Sequence, residues 1–206
     1  MSAGIVTRLR EATSDFLTST LKYSLTVLGA RISPDRIRKI SASTDFIAAG
    51  RWMADHGFQV ARREWRREAV WDAVARRVGD KRVLYLEFGV YQGASIRYWS
   101  RALTHPQAIL HGFDSFEGLP VAGGGWNQGQ FDTHGAIPEI DDDRVRFFKG
   151  WFDQVLPTYV LPAHEVLVVN LDADLYSSTI YVLRALRDHI RPGTFIYFDE
   201  LEHREH

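Results

Sequence analysis

Val83-Leu84-Tyr85-Leu86-Glu87-Phe88-Gly89-Val90-Tyr91-Gln92-Gly93-Ala94-Ser95 is the stretch whose reading decides the fold. An apolar run ends in an acid, two glycines follow four positions apart, and a helix-forming segment begins. This is the pattern of a strand, a tight turn and a helix N-terminus. Glycine supplies positive φ and lets the backbone approach a ligand with no Cβ in the way. In an open α/β sheet, ligands sit at the carboxyl ends of the strands, where this turn falls. Glu87 is expected to project into that crevice, where a carboxylate suits a cationic group rather than a phosphate. The same residues also read as a plain strand–helix turn with a surface glutamate, so the rest of the chain has to decide.

Downstream of Arg82 the pattern predicts strands over 82–88, 108–114, 144–149, 165–172 and 194–199, with helices over 94–104 and 177–190. Strand, helix, strand in repetition is the signature of a parallel sheet. Right-handed crossovers then give a Rossmann-like, doubly wound α/β layer structure. Val83-Leu84-Tyr85-Leu86 and Val166-Leu167-Val168-Val169 are apolar on both faces, as central strands covered by helices require. Residues 117–143 form a long, turn-rich connection carrying Trp126, Phe131 and His134. Such a segment reads either as a lid closing over a substrate or as a surface loop.

Upstream, residues 4–28 read as an amphipathic helix, with Ile5, Leu9, Ala12, Phe16 and Tyr23 on one face, widened by Leu17, Leu21 and Leu28. Ser33-Pro34-Asp35 is a cap followed by a proline at the first helical position, opening a second helix over 34–55. A third helix is expected over 58–78, with Trp65, Ala69, Trp71, Val74 and Val78 inward and Arg62, Arg63, Arg66, Arg67, Arg76 and Arg77 on a solvated face. The organisation expected is therefore a helical cap at 1–79 and a sheet domain at 80–206.

The chain has 206 residues, 45% of them hydrophobic, which is enough for a real core. A formal net charge of -1 gives no bulk attraction to nucleic acid. The absence of cysteine excludes disulfides, a thiolate nucleophile and Cys-type zinc sites. Charge returns too early for a signal peptide, and no apolar run spans a bilayer, so a cytoplasmic setting without membrane contact is expected. The helical cap offers an apolar surface through which copies of the chain could pair.

Four strand ends carry acids: Glu87, Asp114, the pair Asp172 and Asp174, and Asp199 with Glu200. In a parallel sheet these fall on one edge and repel one another unless cations are present. A positively charged ligand or a divalent metal meets that need, and failing a metal, an Arg or Lys of the helical cap. Hard oxygen donors favour magnesium, manganese or calcium over zinc. Asp114 lies 21 positions after Gly93, the spacing of an acid that accepts from ribose hydroxyls. Gly89-Val90-Tyr91-Gln92-Gly93 is not G-x-G-x-x-G, and no tyrosine has a lysine four residues on. Both points favour S-adenosylmethionine over NAD. Asp172 and Asp174, two apart, face the same way if the strand reaches Asp174; if the helix starts there, Asp174 is its N-cap.

Leu86-Glu87-Phe88-Gly89-Val90-Tyr91-Gln92-Gly93-Ala94-Ser95, Asp114-Ser115-Phe116-Glu117-Gly118-Leu119-Pro120, Lys149-Gly150-Trp151-Phe152 and Leu171-Asp172-Ala173-Asp174-Leu175-Tyr176-Ser177-Ser178-Thr179 together resemble the macrocin O-methyltransferase family. The resemblance runs from about Phe46 to Glu200. It implies a class I methyltransferase fold and a magnesium-dependent methyl transfer from S-adenosylmethionine to a hydroxyl of a small molecule, such as a natural-product sugar. It implies cofactor contacts at Glu87, Gly89, Val90, Tyr91, Gly93, Ser95, Asp114, Ser115, Gly150, Trp151 and Asp172, with Glu87 and Gly89 near the methionine part and Asp114 on the ribose. Asp172, Asp199 and Glu200 are the implied metal ligands, Glu200 departing from the family's Asp-Asp. Asp174 is a candidate further ligand or the base, with His203 and His206 as further proton acceptors or as plain solvated residues. The family fold adds an antiparallel hairpin after the fifth strand, whereas this sequence ends at His206. An exposed apolar edge at 194–198 is therefore expected, as in a fragment of a longer product or a chain whose partner covers it. Two other functions fit the same sheet: an NAD(P)-dependent oxidoreductase and a non-catalytic nucleoside-binding scaffold.

Overall fold

The computed structural model describes residues 18–59, 64, 66–122 and 126–199. The expectations placed on Ile5, Leu9, Ala12, Phe16, Leu17, Arg62, Arg63, Trp65, Glu200, His203 and His206 lie outside these residues. By internal contacts the chain divides into Met1–Val60 and Ala61–His206. The third helical segment thus belongs with the sheet, and the division falls before it rather than at residue 79.

The first unit contains helix α1, seen over residues 18–29, and α2, Pro34–Asp55. Pro34 opens α2, and Ser33 Oγ accepts from the Arg36 amide at 3.4 Å. No residue of α2 is buried. Leu21, Tyr23 and Leu28, expected on a packed face, are exposed. Ion pairs such as Lys39 with Asp35 decorate α2 one turn apart; solvent screening leaves exposed pairs of this kind little weight in stability.

The second unit opens with α3, Arg67–Val78, and alternates through β1 (Val83–Phe88), α4 (Ala94–Ala102), β2 (Ile109–Asp114), β3 (Val145–Lys149), α5 (Phe152–Val155), β4 (Val166–Leu171), α6 (Tyr176–Leu186) and β5 (Phe195–Phe198). All strand pairs are parallel and the order is β3-β2-β1-β4-β5. The order reverses between β1 and β4, which makes their carboxyl ends the topological switch point. All six residues of β1 are buried. Val83 and Tyr85 pack with Trp71, Ile96 and Trp99 of α3 and α4, while Leu84, Leu86 and Phe88 pack with Val182 and Leu186 of α6. Alternation along one strand thus feeds two cores, which is why this run has no polar face. Among the described residues β5 borders only β4, and no helix is long and apolar enough to cross a membrane.

Candidate active site

The parallel ladder continues one residue beyond the strands. Gly89 donates to Phe113 O at 3.0 Å, Asp172 to Phe88 O at 2.9 Å, and Asp199 to Leu171 O at 3.0 Å. Continuing the strand registers therefore puts Asp114, Gly89, Asp172 and Asp199 in one row across the sheet's carboxyl edge. A cavity of about 780 Å³ opens on this row. Of the residues singled out in the sequence, Gly89, Val90, Tyr91, Ser95, Asp114, Ser115, Gly150, Trp151, Asp172, Asp174 and Asp199 line it.

Asp114 holds the glycine turn. Its Oδ2 accepts from the amides of Val90 at 2.7 Å and Tyr91 at 2.8 Å, and its Oδ1 from that of Phe116 at 2.7 Å. A carboxylate has about four acceptor sites, so three amides leave capacity for a ligand hydroxyl. Ser115 Oγ folds the next turn by accepting from the Glu117 amide at 3.1 Å. Gly89 sits at φ 91°, and a Cβ there would lie 1.7 Å from the Asp172 carbonyl oxygen. Only glycine lets the β1 turn pass this close to β4. Gly93, at φ 75°, does not line the cavity; a Cβ on it would meet Pro138 at 3.0 Å, so it seats the turn against the 133–139 segment.

Glu87 departs from the expectation that it projects into the crevice. It is 0% exposed and absent from the cavity wall. It lies two ladder rows behind Gly89, on the α3–α4 side of the sheet with Tyr85, whose hydroxyl donates to Glu87 Oε2 at 2.5 Å. Burial pushes its carboxyl up to about 8, so the neutral acid predominates at pH 7. Asn170, its register partner on β4, is also buried. Buried beneath the floor and absent from the cavity wall, its carboxyl is not placed for the direct ion pair foreseen with an ammonium.

The acid end of the cavity has a different character. β4 stops at Leu171 and α6 starts at Tyr176 with Leu175 as N-cap, so Asp174 belongs to neither the strand nor the cap. It sits at φ 58° in a tight turn closed by Leu175 N–H to Ala173 O at 2.6 Å. Asp172 and Asp174 nevertheless both reach the cavity. Asp199 Oδ1 accepts from the Tyr197 hydroxyl at 3.1 Å and lies 3.8 Å from Arg67 Nη1. Among the described residues no group of three or more His, Cys, Asp or Glu gathers as a metal site.

Several lining residues escaped the sequence. Arg67, placed on a solvated face by its period, lines the cavity, as do Ser177, Ser178 and Tyr181 of α6. The serines lay inside a recognised motif, which was the available signal; for Arg67 the signal was only that a cap Arg or Lys could meet the acids, with nothing to single it out among the arginines. Trp126 and Phe131 of the long connection also line the cavity, and Phe131 bridges Trp126 (centroids 5.0 Å) to Tyr91 (5.6 Å). His134 instead borders a second cavity of about 450 Å³ with Arg97 and Pro138.

A family model described as Macrocin-O-methyltransferase (TylF) matches residues 67–206. The chain is 30% identical over 140 residues, 56% of its length and 51% of the relative's, to the 8-demethyl-8-(2,3-dimethoxy-alpha-L-rhamnosyl)-tetracenomycin-C 4'-O-methyltransferase of Streptomyces olivaceus. It is 34% identical over 73 residues, 35% of its length and 26% of the relative's, to the Mycinamicin III 3''-O-methyltransferase of Micromonospora griseorubida. The match thus spans about half the length of the first of these curated relatives and about a quarter of the second. A crystal structure of a putative O-methyltransferase from Klebsiella pneumoniae aligns with TM-score 0.44 and 20% identity, over 69% of this chain and 59% of that one. On the family match, which takes in α3, the whole sheet and every cavity-lining residue, the chain belongs to the macrocin-O-methyltransferase family.

Proposed function

We propose that the protein transfers a methyl group from S-adenosylmethionine to a hydroxyl of a small-molecule glycoside, with magnesium assistance. The observation that carries this reading is the row Asp114–Gly89–Asp172–Asp199 opening into one cavity. Its volume suits a drug-sized ligand site, generally about 300–1,000 Å³. Family membership gives the reaction type. The relatives' names, which specify a rhamnosyl 4'-hydroxyl and a 3''-hydroxyl, give the acceptor class.

The residues present fit the cofactor. Asp114 is preorganised by three amides and has acceptor capacity for a ribose hydroxyl. The carboxylates of Asp172, Asp174 and Asp199 make the opposite wall anionic, which suits a ligand carrying an ammonium and a sulfonium. Glu87 serves from below, holding Tyr85 under the turn. The donor chemistry also fits magnesium: Asp172 and Asp199 are hard oxygen donors on adjacent strand ends, and Glu200 would be the third.

When bound, S-adenosylmethionine supplies the methyl that the acceptor oxygen takes as the sulfonium bond breaks, and magnesium lowers the pKa of that hydroxyl. The chain's own part is to hold, aim and deprotonate. Asp174 takes the acceptor's proton, as a carboxylate within reach of the cavity can. Trp126 and Phe131 exclude water from the reacting groups, which strengthens every charge interaction inside.

Isothermal titration with S-adenosylhomocysteine, with and without magnesium and against NAD as control, tests the reading. Heat from S-adenosylhomocysteine and none from NAD is expected. Binding of NAD alone would transfer the site to dinucleotide chemistry, and binding of neither would leave a scaffold domain.

A further inference from the structure

Arg67 is an oddly placed cation. It is the first residue of α3, with Arg66 as N-cap and no side-chain cap. A positive charge at a helix N-terminus opposes the macrodipole, so the helix itself does not favour it there. Its local partner lies one turn on. The guanidinium sits 5.2 Å from the centroid of Trp71, a cation–π distance. Trp71 is buried and packs edge-on against Tyr197 at 6.0 Å, and Tyr197 donates to Asp199. Trp71 and Tyr197 therefore link the pair, Arg67 lying over the Trp71 ring and Asp199 accepting from Tyr197. The Arg67–Asp199 distance of 3.8 Å is too long for a hydrogen bond. Both side chains keep access to solvent, 42% and 27% exposed, so the pair is an electrostatic contact that can open.

Asp199 is also the residue of the acid row beside Asp172, on the wall where Mg2+ is proposed to bind. A guanidinium within 4 Å of a metal ligand opposes a second cation at the same oxygens. We propose that Arg67 is a tethered competitor of the divalent ion for Asp199, and thereby sets the metal affinity of the site. This rests on the metal part of the function proposed above. In the metal-free protein Arg67 offsets the charge of Asp199; metal entry requires the guanidinium to withdraw along the Trp71 face, which can still hold it.

The test is Mn2+ binding to the full chain, read from the loss of the free-ion electron paramagnetic resonance signal at low ionic strength. Two neutral variants are used: Arg67→Gln, and Arg67→Met, which keeps an unbranched apolar stem over Trp71. Both should bind Mn2+ at least about 5-fold more tightly than wild type, the low end of what one unit charge at this separation gives near a surface. Arg67→Lys should stay within about 2-fold of wild type, because a mobile ammonium still reaches the carboxylate. Raising salt should narrow the difference, since the pair is solvent-accessible. Neutral variants that bind Mn2+ as wild type does, or more weakly, overturn the competition while leaving the metal reading intact. Absence of Mn2+ binding in all variants overturns the competition and the metal reading together. S-adenosylhomocysteine titration of the same samples then judges the cofactor reading on its own.

Discussion

Asp114 and Asp199 occupy the same row at the sheet's edge, yet they are held in opposite ways. Asp114 is fixed by three backbone amides at 2.7–2.8 Å, groups that cannot move without unfolding the turn. Asp199 is held by one tyrosine hydroxyl and faces a guanidinium at 3.8 Å. An acid satisfied by backbone is a permanent feature of the fold and suits a ligand that always binds alike. An acid balanced by a solvent-accessible side chain beyond hydrogen-bond distance can exchange partners and suits an ion that comes and goes. Under the proposed function, the Asp114 end is preorganised for the nucleoside and the Asp199 end is open to exchange.

The largest expected effect strikes the exchanging end. Asp172→Asn should lower magnesium-dependent methyl transfer by about 100-fold or more, the scale of losing metal-held positioning and activation of the hydroxyl, with S-adenosylhomocysteine affinity largely kept. EDTA should abolish the wild-type rate and magnesium restore it. Initial rates with a panel of glycosides measure both. Full activity in chelator would remove the ion from the chemistry and erase the contrast between the two ends.

At the preorganised end, Asp114→Ala leaves three amides without their acceptor. Each unsatisfied partner costs about 1–3 kcal/mol. Cofactor affinity should fall by roughly 1–3 kcal/mol, and thermal stability should fall with it. Titration calorimetry and a melting curve measure the two. Unchanged stability with weaker binding would mean that Asp114 serves only the ligand and that the turn holds without it.

Glu87→Gln sharpens the comparison from beneath. The folded protein raises Glu87 to about 8 from the ordinary 4.5. Between these values the native state holds a proton that the unfolded chain has released. Stability from this group is therefore full below about pH 4.5 and declines as pH rises toward 8. Glutamine keeps the neutral shape and removes the titration. The variant should stay within about 1 kcal/mol of wild type near pH 5 and exceed it by up to about 5 kcal/mol at pH 8–9, the rise from 4.5 to about 8 being worth about 1.4 kcal/mol per pKa unit. Denaturant melts at the two pH values decide it, and parallel curves would show an ionised Glu87 in the native state.

What the sequence revealed, and what it hid, follows from range. β1 and β4 were legible because burial on both faces leaves no polar alternation to confuse. The convergence of Asp114, Asp172 and Asp199 was legible because parallel strands put all carboxyl ends on one edge. Glu87 was misplaced by two ladder rows: the edge begins at Gly89, and an acid two residues earlier shares Tyr85's covered face. An Arg or Lys of the helical cap was foreseen for the acids, but not which one: Arg67's partner is Asp199, just after β5 and far along the sequence. Helical period placed Arg67 with the solvated arginines, and only the fold brings Asp199 to it.

Asp174 gives the smallest and most discriminating effect. The expectation that it shares Asp172's direction required β4 to run on, but the ladder ends with the Asp172 amide. The chain then turns through φ 58° at Asp174. Asp and Asn tolerate this region better than other side chains, and glycine occupies it without steric cost. Asp174→Asn should leave stability within about 0.5 kcal/mol of wild type, and Asp174→Gly should shift it by at most about 1 kcal/mol, relief of the turn being offset by unfolded-chain entropy. Melting curves for both variants bound the structural role. Turnover then isolates the chemical one, because a base converted to an amide cannot take the acceptor's proton. Loss of rate in both variants, with Mn2+ affinity unchanged, assigns Asp174 as the base. Loss of Mn2+ affinity in both would instead place it among the ion's ligands, moving it from proton transfer to the exchanging end of the row.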